Sequence, residues 1–215
     1  ANPLVLLKDI VMQNDFANAH STDAKTIPVI DVSGAISGDG INGVADAIYT
    51  AAINHGVFYI SNHGIDPVLI EQALAVSKAF FELPEVDKQA VAVDRNQRGW
   101  LAQGMSRLQG SKTHDLKEVF FWGPHTEADD VDMLACKPLC AVNQWPRDFP
   151  RLYEDLTPYY DAVCQMARRV MAAVAVSLDQ SANFFDKAYA KPLARGQMVY
   201  YPASTPQDDA ESRFG

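Results

Sequence analysis

Histidine and cysteine are scarce in this chain: five histidines, the last of them His125, and three cysteines, Cys136, Cys140 and Cys164. An odd cysteine count without framework spacing excludes a disulfide-stapled scaffold and points to a reducing compartment, the cytoplasm. Cys136 and Cys140 lack the second ligand pair that a structural zinc site needs. Basic residues are in deficit, 18 Lys and Arg against 27 Asp and Glu. With no Lys/Arg run to break that balance, the chain repels phosphate backbones and anionic membranes, so neither nucleic acid nor a membrane is an expected partner. Long apolar runs are missing as well. Residues 4–7 are too short for a signal-peptide core, and nothing later approaches the roughly 18 apolar residues of a membrane span. No G-x-S-x-G elbow, phosphate loop or H-E-x-x-H helix is present, which removes the motif-level case for a hydrolase, kinase or metalloprotease.

What remains is an ordinary globular composition, 215 residues with 48% hydrophobic, enough to bury a sizeable core in one large or two small domains. Residues 1–26 read as a polar, irregular arm. Residues 27–32 predict a short strand with Pro28 at its start, where a missing N–H is tolerated. Val44, Ala47, Ile48, Ala51 and Ala52 form a helical stripe over 41–54, and Gly56 stands where a helix commonly ends. Residues 57–60 predict a buried strand. Asp66 and Pro67 open the next helix as N-cap and first-turn residue, with Leu69, Ile70, Ala73, Val76, Phe80 and Phe81 as its apolar face. Residues 89–145 read mostly as loops around one strand at 119–122. A long helical region follows, which Pro158 is expected to kink or to restart with Thr157 as cap. Residues 198–201 predict a last strand before a polar tail.

Two constellations imitate known sites. Gly38, Gly40 and Gly43 spell G-x-G-x-x-G between a strand and a helix, the outline of a dinucleotide-binding unit and the basis for a rival reading as an NAD-binding dehydrogenase. Against it, four residues separate the strand from the first glycine, Asp39 would face the phosphates, and the second strand runs into Ser61, Asn62 and His63 without the ribose-binding acid. The plainer reading is a flexible glycine loop. His125 and Glu127 form an H-x-E step of the kind that ligates non-haem iron. A distal histidine is needed after it and none follows. The acid run Glu127, Asp129, Asp130, Asp132 reads as a solvated loop, and His63 as the end of a strand in a structural turn.

Six segments taken in order carry more. Ile27-Pro28-Val29-Ile30-Asp31, Gly56-Val57-Phe58-Tyr59-Ile60-Ser61-Asn62-His63-Gly64-Ile65, Phe80-Phe81-Glu82-Leu83-Pro84, Arg98-Gly99-Trp100, Lys117-Glu118-Val119-Phe120 and the strand ending Tyr200-Tyr201-Pro202 together resemble the isopenicillin N synthase-like family of iron- and 2-oxoglutarate-dependent oxygenases. The resemblance implies an α+β protein: a double-stranded β-helix, or jelly-roll, with an N-terminal helical region. It implies an arm over 1–26, an N-terminal region with substrate-shaping loops over 27–145, and a long helix with the first part of the barrel over 146–215. It further implies Fe(II) held by an H-x-D step and a later histidine, and 2-oxoglutarate as cosubstrate for hydroxylation, desaturation or ring closure of a small organic molecule. Those ligands are expected after Gly215, with Arg213-Phe214-Gly215 resembling the lead-in to the H-x-D, so the chain as given is expected to be an inactive, incomplete barrel with no metal ligand or catalytic residue of its own. The different-class alternative is a non-catalytic binding or scaffold module that keeps this half of the fold.

Within the chain, period-2 alternation sets Gln197, Val199 and Tyr201 on one strand face, and Met198 and Tyr200 on the other. Tyr201 resembles the family tyrosine that donates to a carboxylate of cosubstrate or substrate, though a tyrosine on a buried strand is also ordinary core. Val199 stands where many relatives have asparagine, which removes a polar contact and leaves open whether 2-oxoglutarate is bound in the usual way. Arg98 and Arg107 lie in a region that resembles the part of the family above the substrate, and either is a candidate partner for a substrate carboxylate, with surface arginine as the plainer reading. Trp100 and Phe120 suit a small amphipathic molecule.

Overall fold

The computed structural model describes residues 27–106 and 115–203. The arm at 1–26, Arg107 and the tail with Arg213, Phe214 and Gly215 lie outside the described residues.

Strand β1 (Val29–Asp31), helix α1 (Ser33–Ser37), helix α2 (Ile41–Asn54) and strand β2 (Tyr59–Ser61) form the first layer. β1 and β2 pair in parallel, Val29 opposite Tyr59 and Asp31 opposite Ser61, so α2 is their crossover. Of the stripe read from the sequence, Val44, Ile48 and Ala51 are buried and Ala47 half-buried, whereas Ala52 is exposed and Ala45 takes the remaining buried place. Gly56, at φ 72°, takes the left-handed position after the helix and donates its N–H to the carbonyls of Ala51 and Ala52. The 57–60 segment is not the buried strand expected. Val57 and Tyr59 are exposed while Phe58 and Ile60 pack inward, because this two-stranded sheet is covered on one face only.

Helix α3 (Pro67–Phe81) starts as predicted, with Asp66 Oδ1 accepting from the Val68 N–H at 2.9 Å. A short helix α4 (Glu85–Gln89) leads to a second sheet of three antiparallel strands, β3 (Gly99–Leu101), β4 (Glu118–Trp122) and β5 (Gly196–Tyr200), in the order β3-β4-β5. The 89–145 stretch is therefore not only loops around one strand. β3 escapes a periodicity reading because it has three residues and begins at Gly99, φ 104°, pressed against the Val91 backbone where no side chain fits. Helix α5 (Val131–Leu134) falls inside the acid run and uses Asp130 as its N-cap.

Helix α6 (Arg151–Ser177) runs unbroken through Pro158, with no restart at Thr157. The lost N–H of Pro158 is outweighed by packing on both sides of it: Leu152, Leu156, Tyr159 and Tyr160 all sit on the same apolar cluster. That cluster joins α3, the three-stranded sheet and the first half of α6, centred on Phe80, Trp100, Phe120 and Trp122. The Phe80 and Phe120 rings meet edge-on at 4.9 Å, and burial of each such ring contributes about 1.5–3 kcal/mol. A second cluster joins β1, α1, α2 and the later part of α6 through Ile30, Val32, Val44, Ile48 and Ala173. No helix among the described residues is long and apolar enough to cross a membrane.

Candidate functional site

The three-stranded sheet packs one face on helices, while its other face is open along β5 and closed at Val119 and Gly99, and alternation decides which side chains go where. Trp100, Phe120 and Met198 lie directly opposite one another across β3, β4 and β5, all buried against α3 and α6. Tyr200 stacks on Phe81 at 5.3 Å, and the Ser77 hydroxyl donates to the Met198 sulfur, which fixes this face toward the helices. The opposite face then carries Gly99 beside Phe121 beside Gln197, and Leu101 beside Val119 beside Val199. Val199 is 38% exposed on it. Tyr201, the next residue after β5, is 53% exposed, and alternation sets it on the side of Val199. Toward the other end of β5 the Arg195 guanidinium lies 5.2 Å over the Phe121 ring. Gly99 presents no side chain beside that ring.

The sequence reading missed Phe121 and Arg195. The signal was available in principle, since Val119 and Phe121 alternate with Phe120 and Trp122, and extending the β5 alternation backwards reaches Arg195. Arg98 is corrected in the opposite direction. It was expected near a substrate carboxylate, but its side chain is 1% exposed and donates to the backbone carbonyls of Asn96, Gln97 and Leu139, the last at 2.8 Å. Its Nε–H finds no acceptor among the described residues. Burial first, and the neighbouring Arg195 charge second, push its pKa below the ordinary arginine value. Gly123 makes room for it, since a side chain there would collide with the guanidinium. Arg98 thus ties the loop at 139 to the start of β3.

The two imitations resolve in geometric terms. Gly38 and Gly40 donate their N–H groups to the Gly34 carbonyl at 3.1 and 3.2 Å, and a side chain at Gly34 would collide with the Gly40 backbone. This is a packed turn rather than a flexible loop, and those amides are already used instead of facing a phosphate. His125 and Glu127 bond to each other at 2.8 Å with both side chains largely exposed. The acid run is also more than a solvated loop. Lys191 reaches both oxygens of Asp130 and one of Asp132, and Lys137 pairs with Asp132 from the other side. These hydrogen bonds hold the Asp132 carboxyl down to about 2 and raise Lys191 above its ordinary value. His63 behaves as read, its Nδ1 accepting from the Ile65 N–H in a turn.

Among the described residues no group of three or more His, Cys, Asp and Glu is placed to hold a metal ion. An iron centre is therefore not assembled from them.

Residues 27–148 match the family model for the non-haem dioxygenase in morphine synthesis N-terminal region, more than half of the chain. The chain belongs to this non-haem dioxygenase family. A 2-oxoglutarate-Fe(II) type oxidoreductase from Aspergillus fumigatus is 31% identical over 168 residues, covering 76% of this chain and 50% of that protein. Among solved structures, a full-length Neurospora crassa protein in complex with alpha-KG aligns with a TM-score of 0.69 at 26% identity, over 84% of this dioxygenase-family chain and 56% of that one. A Caulobacter crescentus protein assigned to the 2OG-Fe(II) oxygenase family gives a TM-score of 0.74 at 24% identity, over 88% of this chain and 60% of that one, a likeness of fold. The chain spans about half the length of the curated relatives it matches.

Proposed function

We propose that this chain is the front portion of a non-haem Fe(II), 2-oxoglutarate-dependent oxygenase of the isopenicillin N synthase-like type, which hydroxylates, desaturates or cyclises a small organic molecule in the cytoplasm. The observation that carries the reading is the family match over 27–148, joined to a sheet that packs helices on one face and leaves Phe121, Gln197, Val199 and Tyr201 on the other. On this reading the 27–145 region shapes the substrate space, and 146–215 supplies the long helix and the first part of a jelly-roll.

In this reading the open face is one wall of the pocket. Val199 keeps its middle apolar, and the Tyr201 hydroxyl donates to a carboxylate of cosubstrate or substrate. Among the described residues β5 is an edge of its sheet, with no strand paired along its outer side, and further strands of the barrel would satisfy its backbone groups there. Iron, when bound by residues from the rest of the relatives' length, would supply the oxidising chemistry, whereas the described residues bind, orient and exclude water.

The test is succinate release from 2-oxoglutarate by the product of the natural gene, assayed with Fe(II) across a panel of small organic substrates. Release above background that rises with one substrate supports the reading. No release with any of them, from protein shown to be folded, overturns it. In an active protein Tyr201→Phe should raise the KM for the carboxylate it meets about three- to tenfold, the size of one lost hydrogen bond.

A further inference from the structure

The open sheet face has an apolar middle and a cation at one end. Lys88, Lys117, Lys137, Arg151 and Lys191 each sit within 3.1 Å of a carboxylate. Arg195 is among the basic side chains that do not. Among the described residues no carboxylate lies within ion-pair distance of it, and its guanidinium rests over the Phe121 ring instead. The other guanidinium nearby, that of Arg98, is buried and committed to backbone carbonyls, so it adds positive charge to the neighbourhood without competing for an anion.

We infer that Arg195 is a specificity-determining residue, which binds the carboxylate of a small organic acid whose apolar body lies along Phe121 and Val199. This rests on reading the open face as the pocket wall. Contact with an aromatic face occupies the flat side of a guanidinium and leaves its in-plane N–H donors for a bidentate partner. The ring also fixes a long side chain that would otherwise lose rotamer freedom on binding. From Arg195 to Val199 is four residues of extended chain, about 13 Å, which limits the ligand to a carboxylate carrying a body of one or two rings or an equivalent chain.

The experiment needs neither iron nor 2-oxoglutarate, so its failure is separable from failure of the oxygenase reading. The metal-free full chain, labelled with 15N and 13C, is titrated with sodium benzoate or with benzamide, its uncharged counterpart, at constant ionic strength while the Arg195 side-chain N–H signal is followed. Benzoate should move that signal and bind at least tenfold tighter than benzamide. Arg195→Gln should reduce benzoate to the benzamide level, as read by the ring signals of Phe121, and Arg195→Lys should keep a weaker preference. Equal binding of the two probes by the unaltered chain, or undiminished benzoate binding by folded Arg195→Gln, overturns the assignment. So does displacement of benzoate by 2-oxoglutarate at equal concentration, which would make the site one for cosubstrate. The comparison of probes on the unaltered chain decides the matter even if a variant fails to fold.

Discussion

Gly196 lies directly opposite Trp122 in the β4–β5 ladder, so close to the indole that a Cβ at 196 would overlap its ring atoms. The indole occupies the place of a side chain, which joins the start of β5 to the core. Gly196→Ala should therefore force the tryptophan or the strand to shift and cost about 1–3 kcal/mol. Gly43→Ala is the matched control: it sits inside α2 with open space where its Cβ would go, and should stabilise by about 0.5–1 kcal/mol. Urea titrations of the two variants should move their midpoints in opposite directions.

A second prediction concerns Lys88, whose ammonium is 2.7 Å from Glu118 Oε2 and also donates to the Phe81 carbonyl. The same carboxylate oxygen accepts from Trp100 Nε1 at 2.7 Å. Lys88→Met strands a largely buried carboxylate and should cost about 3–5 kcal/mol. The double variant Lys88→Met with Glu118→Leu removes both charges and should recover much of that loss. A double variant no more stable than Lys88→Met would show that the pair is not what holds α4 to the sheet.

Acid should release the clamp between α5 and Lys191. The Asp132 carboxyl titrates well below its ordinary value, so its folded form binds the proton less readily than the unfolded chain. Its contribution is complete above about pH 4 and disappears as pH falls through about 2. Lys191→Met should return the Asp132 carboxyl toward 3.8 and flatten the loss of stability in that window. Carboxyl-carbon NMR titration of Asp132 in both proteins reads this directly, and an unmoved midpoint contradicts it.

The cap at Asp66 gives the simplest prediction. Asp66→Ala removes the acceptor for the Val68 N–H and should cost about 1 kcal/mol, while Asp66→Asn should cost less. Thermal unfolding of the three proteins in one buffer ranks them.

Where local chemistry alone dictates structure, the sequence was readable. Asp66-Pro67 and Gly56 marked helix ends because capping depends on adjacent residues. The alternation of β5 likewise separates Met198 and Tyr200 from Gln197 and Val199 without reference to a partner strand. Arg98 was misplaced for the converse reason: its burial depends on Gly123 and on the Leu139 carbonyl, 41 residues away, and neither leaves a mark near position 98. Pro158 does not restart the helix, since its local penalty is visible in sequence while the packing that keeps α6 continuous comes from α3 and the sheet. The candidate site was half legible. Val199 and Tyr201 came from a strand period, but the meeting of Arg195 with Phe121 needs β4 and β5 to be neighbours, which no local pattern states.

The unbroken run of α6 has a mechanical consequence. One 27-residue helix supplies Leu152 and Leu156 to the first cluster and Ala173 to the second, so the two share a single rigid spar about 40 Å long. Neither can melt by itself without tearing half of that spar loose. Amides along the whole helix should exchange with solvent as one unit, and damage on the β1–α2 side should be felt at the far end, beneath Phe120.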